Sequence, residues 1–387
     1  MEGIFFFLKP IVDMLYQFQF LDYIMVVLAL ILLAKHHKMR LHGFDILILF
    51  LMLLFFFAFL KNENGLAAFF KIESGFLVYF LGRCYSSNVW SIIPFLKWSF
   101  LLIILITAYT FVSGVGFKEW GRIYTFCGLY FFKTDLCTAM AQCTIFFCLI
   151  HPVKKKNWFV VATCIFFTLI ANARAYYFIV FFIIILAFLY YREIKTKRQI
   201  EISWKLLTIG SASIIGLLFL MNHLSTFLGD RFLLFQFDNL SDLMDSGNTQ
   251  GRNEVWNDIY NRIFMRKDFI TRFFGIDLCS DQSYLGFNSH NLYLKVLFSI
   301  GYFGCFFYGC FILGVVYYLN KIRVDRQLFY VTTALFSIYL FGGISYITIE
   351  STQLSWFPMF FLGIVVTKVH AQNELESYVE IRSTRNK

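Results

Sequence analysis

The chain has 387 residues, of which 59% are hydrophobic and 15% are charged, whereas soluble domains carry about 25% charged residues. Apolar runs close to the roughly 20 residues needed to cross a bilayer recur along its length, for example at 44–60 and 176–191. This composition excludes an ordinary soluble protein. It also excludes a transmembrane β-barrel, which would have short alternating segments.

The predicted elements are all transmembrane helices, so the expected fold is an all-α polytopic integral membrane protein. About eight spans precede residue 223 and three more occupy 291–367, which gives 11 spans, or 12 if residues 4–17 form a further short helix. The segments at 65–82 and 91–112 are the weaker predictions, since they contain Lys and Glu residues. The predicted spans are 18–34, 44–60, 65–82, 91–112, 135–151, 157–171, 175–191, 204–222, 291–319, 328–348 and 352–367.

The loops between these spans indicate the orientation. The formal net charge is +10, and Lys and Arg are concentrated in short loops at 35–44, 154–156, 192–199 and 321–326. An even number of predicted spans separates each pair of these loops, so all four lie on one side, which the positive-inside rule assigns to the cytoplasm. The tail at 368–387 falls on the same side. Because topology accounts for the basic residues, no nucleic-acid partner is predicted.

The opposite side carries the one long polar segment, a loop at 223–290 with nine acidic and six basic residues. This extracytoplasmic loop is expected to form a small domain of its own. It contains no Asp-x-Asp pair, and the nine Cys of the chain include no Cys-x-x-Cys pair. We therefore predict neither a metal nor another cofactor.

Arg174, in the stretch NARA, stands between two predicted spans on the extracytoplasmic side. An Arg at a helix end can extend its guanidinium to the lipid headgroups. Because the positive-inside bias disfavours Arg on this side, an anionic ligand is the alternative partner.

Within the loop, residues 252–272 are expected to form an amphipathic helix lying on the membrane surface. Val255, Ile259 and Ile263 recur at helical spacing, and Trp256 adds an aromatic side chain. Gly251 precedes the helix and Arg252 falls in its first turn. A cation is slightly unfavourable at a helix N-terminus. Arg252 is therefore expected either to pair with a neighbouring carboxylate or to bind a ligand.

His290 and Asn291 stand where the loop re-enters the membrane, and the topology places only His290 and one other of the seven His on the outer side. A neutral imidazole at this position could accept a proton. The alternative is a helix start at which Ser289 or Asn288 is the capping residue and the His is incidental. Gly301 and Gly304 would share the face of His290 on one continuous helix and let another helix approach closely.

These motifs together resemble the bacterial O-antigen polymerase and O-antigen ligase superfamily. The resemblance rests on the topology with its large outer loop, on Arg174 in NARA, on Gly251, Arg252 and Trp256, and on a His-Asn-x9-Gly-x2-Gly pattern. That pattern is met by His290, Asn291, Gly301 and Gly304.

The resemblance implies an architecture like that of C-type glycosyltransferases, in the bacterial inner membrane, with the active site on the periplasmic face. The substrate would be an oligosaccharide linked to undecaprenyl diphosphate. Arg174 and Arg252 would bind the diphosphate and assist its departure, and His290 would be the catalytic base. The implied partners are membrane lipids, a chain-length regulator and a flippase.

Three functions remain open at this point. A polymerase would extend the lipid-linked glycan, a ligase would transfer it to a lipid A core, and both would use the same Arg and His residues. The loop helix and the stretch SHNLYL favour the polymerase. A flippase or other transporter is the third possibility, although the chain shows no internal repeat of the kind that transporters often contain.

Overall fold

A computed structural model describes residues 2–15, 18, 20–35, 39–85, 89–120, 123–150, 155–197, 252–279 and 289–385. The predicted span at 204–222 and Gly251 lie outside these residues. Helices form at the other ten predicted spans. The helices of the first half are α1 (Glu2–Met14), α2 (Phe20–Lys35), α3 (Gly43–Leu60), α4 (Leu66–Cys84), α5 (Ile93–Val112), α6 (Lys133–Cys148), α7 (Lys155–Ala171) and α8 (Arg174–Thr196).

The second half begins with α9 (Arg252–Asn257), which continues as a π-helical turn and a 3-10 turn to Arg266, followed by α10 (Phe269–Phe274). Three long helices follow, α11 (Leu292–Lys321), α12 (Arg326–Gly342) and α13 (Thr352–Arg385). The last helix continues through the residues that were expected to form a separate tail. A short antiparallel hairpin of β1 (Phe117–Trp120) and β2 (Ile123–Phe126) was not predicted.

In the described residues the fold is therefore all-α apart from this hairpin, and apolar helices of membrane-spanning length are present. Within the part of the chain that the structure describes, five helical segments are long and apolar enough to cross a bilayer. The helix at 157–171 is apolar but shorter. The total of 11 to 12 spans stays a prediction. The five segments are Gly43–Leu60, Val89–Val112, Ala175–Thr196, Leu292–Val324 and Thr352–Glu374.

The centre of the bundle is the packing of α4 against α13, where small residues let the two backbones touch. A Cβ atom added to Gly82 would overlap the carbonyl oxygen of Phe360 and lie 3.2 Å from Cα of Gly363. A Cβ added to Gly363 would lie 2.7 Å from the backbone nitrogen of Arg83. Close approach of this kind is how helices associate tightly inside a membrane.

A buried ion pair fixes α3 to the same two helices. The guanidinium of Arg83 donates to both carboxylate oxygens of Asp45, at 2.9 and 3.1 Å, and to the hydroxyl of Thr367 at 2.8 Å. Tyr79 adds a hydroxyl that donates to Asp45 at 2.5 Å. Since every side chain here has charged or hydroxyl partners, the cost of burying these charges is offset.

Three of the four basic loops meet at this end of the bundle. Arg83 donates to the carbonyl of Arg40 at 3.0 Å, Lys368 pairs with Asp325 at 2.7 Å, and Arg326 donates to the carbonyl of Glu193 at 2.8 Å. These three loops, which the count of predicted spans puts on one side, therefore lie together in the structure. That this end faces the cytoplasm stays a prediction.

Replacing Gly82 by Ala should destabilise the protein, because the added methyl group would overlap the Phe360 carbonyl on the neighbouring helix. We expect a loss of about 1–3 kcal/mol or more in the free energy of unfolding, the range for overpacked cores. The measurement is thermal or detergent-induced unfolding of the purified protein.

The matched control is Gly309→Ala on α11, where a new Cβ would have no atom within 4 Å. Ala is the better helix former by roughly 1 kcal/mol, so this variant should unfold no more easily than the wild type. Equal losses from the two substitutions would contradict the close contact of α4 and α13.

Candidate active site

A polar cleft of about 230 Å³ opens at the end of the bundle opposite the basic loops. It is lined by the end of α1, the start of α4, α6 and α13, and parts of the connecting loops. Every lining segment belongs to the side that the loop charges predict to be extracytoplasmic. The titratable lining residues are Asp13, Lys71, Asp135, Cys279, His290, Tyr346 and Glu350.

His290 lies just before the N-terminal end of α11, in a backbone conformation that few residues adopt. Its φ is +47°, in the left-handed region, which is uncommon for any residue other than Gly and in which His, Asn and Asp are enriched. The preceding residue, Ser289, is buried, and its carbonyl accepts a hydrogen bond from the indole nitrogen of Trp256 at 3.0 Å. The loop helix thus holds the backbone next to His290.

Asn291 is the residue that caps α11. Its Oδ1 accepts from the backbone nitrogens of Tyr293 and Leu294 at 2.9 and 3.0 Å, and its Nδ2 donates to the carbonyl of Ile344 at 3.2 Å. The alternative prediction of Ser289 or Asn288 as the cap is wrong for Ser289, and Asn288 lies outside the described residues. Asn291 is therefore the cap, and the neighbouring His290 lines the cleft.

Gly301 does not continue the helix, so the expectation of one continuous face from His290 to Gly304 is wrong. Gly301 has φ +66° and ψ −169°, which breaks α11 at this residue. The segment that packs there is not a spanning helix but the end of α10, because a Cβ on Gly301 would lie 2.6 Å from the carbonyl carbon of Phe273. Gly304 has no side chain, and the side chain of Ile300, from the preceding turn of the helix, occupies the space next to it.

The loop segment is fixed to the bundle on both sides of this contact. Gly275 has φ +84°, and a Cβ there would lie 2.6 Å from the backbone nitrogen of Ile300. Lys61, in the first outer loop, donates to the carbonyls of Phe274 and Gly275 at 3.2 and 2.8 Å. Burial lowers the pKa of the Lys61 ammonium, and the nearby carboxylate of Asp277 opposes this effect.

The amphipathic pattern of the loop helix is present, but the apolar face packs on the protein. Ile259 and Phe264 are buried against Phe298 of α11, so the expected placement of this face on the membrane surface is wrong. Exposed apolar side chains remain in the described part of the loop, above all on α10, where Phe269 and Ile270 are each 69% exposed.

Both predicted diphosphate-binding residues begin helices. Arg174 is the first residue of α8, and Arg252 is the first residue of α9, one helical turn before Trp256. The backbone before α8 contacts the start of α6, since Lys133 donates to the carbonyl of Asn172 at 3.1 Å. The side chains of Arg174 and Arg252 lie outside the described part of the chain, so their meeting with His290 stays a prediction.

Sequence reasoning missed the carboxylates of the cleft. Asp13 and Asp135 are buried near the ends of α1 and α6, and Glu350 lies just before α13. A signal was available, because ionisable residues inside or beside apolar helices are costly and therefore tend to be functional. Their convergence could not be predicted, because α1, α6 and α13 are far apart in the chain.

No protein-family model and no curated protein matches the chain. The fold and the cleft define a helical membrane protein with a polar, ionisable site at one end of the bundle.

Replacing Asn291 by Ala should expose the start of α11, because the amides of Tyr293 and Leu294 lose their acceptor. Loss of such a cap costs about 0.5–2 kcal/mol. We expect faster hydrogen–deuterium exchange at residues 293–295, measured by mass spectrometry. Asn291→Asp is the matched control, because the carboxylate keeps the acceptor, and wild-type exchange in Asn291→Ala would contradict the capping role.

Proposed function

We propose that the protein extends a glycan carried on a polyprenyl diphosphate, by metal-independent glycosyl transfer at the extracytoplasmic membrane face. The observation that carries the proposal is the presence of His290 in a polar cleft, next to the backbone that Trp256 and Asn291 fix. The same end of the bundle holds the starts of the helices that begin with Arg174 and Arg252. This arrangement supports a role for the motif residues in one site.

In the proposed reaction, His290 accepts the proton of an acceptor sugar hydroxyl as its oxygen attacks the anomeric carbon of the donor glycan. A new bond joins that carbon to the acceptor oxygen, and the bond to the diphosphate oxygen breaks. The diphosphate leaves with the bonding electrons, so no nucleotide is needed. Arg side chains stabilise such an anion through charge-assisted hydrogen bonds.

Most of the proposed rate enhancement comes from two terms. A positioned general base contributes about 10²–10⁴-fold. Cationic donors at a leaving group add stabilisation that grows as negative charge develops in the transition state. A ligase would use the same groups with a different acceptor, and the polymerase is preferred on the loop-helix and SHNLYL motifs.

His290→Ala should abolish long polysaccharide chains, with a loss of about 10²–10⁴-fold in rate, because the proposed base that accepts the acceptor proton is removed. Arg252→Ala should also abolish them, by loss of the diphosphate contact. The measurement is the chain-length ladder of the surface polysaccharide on a gel, together with the amount of protein in the membrane.

The control is His42→Ala. His42 lies at the opposite end of the bundle, where its ring stacks on the ring of His370 with 3.6 Å between the ring centroids. This variant should keep the wild-type ladder. A wild-type ladder from His290→Ala would contradict the proposal. A strain that lacks the gene for this protein separates the two functions. Lipid A core that carries one repeat unit would identify a polymerase, and lipid A core without any repeat unit would identify a ligase.

Purified enzyme should retain full activity in excess EDTA, because the proposed leaving-group stabilisation comes from guanidinium groups and not from a divalent cation. The measurement is incorporation of labelled lipid-linked oligosaccharide into polymer, with and without the chelator. Loss of activity that added Mg²⁺ or Mn²⁺ restores would contradict the metal-independent mechanism.

A further inference from the structure

Three carboxylates from distant parts of the chain line the cleft together with His290. Asp13 comes from α1, Asp135 from α6, and Glu350 from the turn before α13. The lining also contains the aromatic rings of Phe132 and Tyr346. Carboxylates that accept hydrogen bonds, placed beside aromatic rings, are suited to a ligand that has many hydroxyl groups and apolar ring faces.

Each of these carboxylates is held in place by a neighbour. Oδ1 of Asp13 accepts from the ammonium of Lys9 and from the hydroxyl of Thr352, the latter at 3.3 Å. Lys295 lies 2.9 Å from Oε1 of Glu350. The positions of these acceptors are therefore set before a ligand arrives, which lowers the entropic cost of binding.

Asp135 is held by neutral groups. Its carboxylate interacts with the hydroxyl of Tyr346 and with the backbone of Phe132. A second contact fixes the backbone, since Gln353 donates to the carbonyl of Asp135 at 3.0 Å.

The second carboxylate oxygen of Asp13, Oδ2, has a different environment from Oδ1. The residue lines the cleft and is only 6% exposed, and among the described residues no donor reaches its Oδ2. A buried acceptor without a partner is costly. The group that would satisfy it is a hydroxyl or an ammonium supplied by a ligand.

We propose that Asp13, Asp135 and Glu350 form the subsite for the acceptor sugar, and that this sugar is neutral or carries an amino group but is not a uronic acid. The inference rests on the proposed function and names the acceptor class of the same site. A sugar in this subsite binds its hydroxyls to the three carboxylates and presents one further hydroxyl to His290.

The size of the cleft and the hydrogen-bond donors that it requires restrict the acceptor further. Its volume of about 230 Å³ is below the roughly 300–1,000 Å³ of drug-sized pockets, so it holds a terminal sugar and not a whole repeat unit. The lining also contains the ammonium of Lys71, and Asp13 and Glu350 are paired with Lys9 and Lys295, so charge alone does not exclude a uronic acid. The carboxylate of a uronic acid offers only acceptors, whereas Oδ2 of Asp13, which has no partner among the described residues, needs a donor. Neutral and amino sugars supply donors instead.

The test uses the full chain in lipid nanodiscs and three lipid-linked acceptors that end in a hexose, a hexosamine or a hexuronate. We expect the first two to be extended and the hexuronate to have a kcat/KM lower by about 100-fold or more, as for sites whose polar groups are left unpaired. Asp135→Asn should raise the KM for the acceptor about tenfold, leave the KM for the donor unchanged, and reduce the discrimination against the hexuronate.

Asp13→Asn should behave in the same way, but it removes the counter-charge of the buried Lys9, so Asp135→Asn is the decisive variant if Asp13→Asn does not fold. Asp258→Asn is the matched control. Asp258 pairs with Arg262 on the exposed side of the loop helix at 3.1 Å, and its loss should leave both KM values unchanged. Equal use of all three acceptors, or equal changes in donor and acceptor KM, would overturn the inference.

A binding measurement separates this inference from the proposed function. Saturation-transfer NMR should detect binding of methyl glucoside and of methyl glucosaminide to the wild type, and this binding should be lost in Asp135→Asn. Methyl glucuronide should show no binding to the wild type. Binding with this selectivity in a protein that extends no lipid-linked glycan would contradict the proposed function alone. Extension of glycans without this selectivity would contradict the subsite alone.

Discussion

Gly82 and Gly363 bring the backbones of α4 and α13 into direct contact, and the position of the cleft depends on that contact. Because water is absent from the bilayer core, helices there associate through close packing and polar contacts between them. The contact extends towards the cleft, since Gly75 of α4 faces Ser355 of α13, and the indole of Trp356 donates to Ser74 at 3.0 Å. The contact between α4 and α13 therefore ends where Lys71 and Thr352 line the cleft.

The polar groups around the cleft are held by helix ends and not by flexible loops alone. The first residues of α6 and α13 and the last turn of α1 supply its walls, and the loop segment at 273–275 is pressed against the break in α11. His290 takes its strained conformation between two fixed points, the indole of Trp256 and the cap made by Asn291. Strain of this kind persists only where the surrounding contacts determine it.

The ends of the chain are joined at this site. Asp13 lies near the start of the sequence and Thr352 near its end, yet their side chains are hydrogen-bonded. None of the residues that carry the proposed resemblance lies in the N-terminal third, so its contribution to the cleft was found from the fold alone. The proposed acceptor subsite uses that contribution, whereas the proposed catalytic groups come from the motif residues.

Several features of the site could be predicted from local sequence. The His-Asn pair before an apolar run indicated a helix start, and the repeat of Val255, Ile259 and Ile263 indicated an amphipathic helix. The surface that this helix covers could not be predicted, because Phe298 and a lipid tail are equally good apolar partners for Ile259 and Phe264. The residue that caps α11 could not be singled out for a similar reason, since Ser289, His290 and Asn291 all precede the helix and several could accept its first amides.

The sequence by itself determined the all-α membrane class, the positions of most helices and the grouping of the basic loops, because hydropathy and charge act over short windows of the chain. Only the tertiary structure decided that α11 breaks at Gly301 and that Asp13, Asp135 and Glu350 share a cleft with His290. These outcomes depend on contacts between segments distant in the sequence. Such contacts follow from the packing of whole helices, which no short window of residues contains.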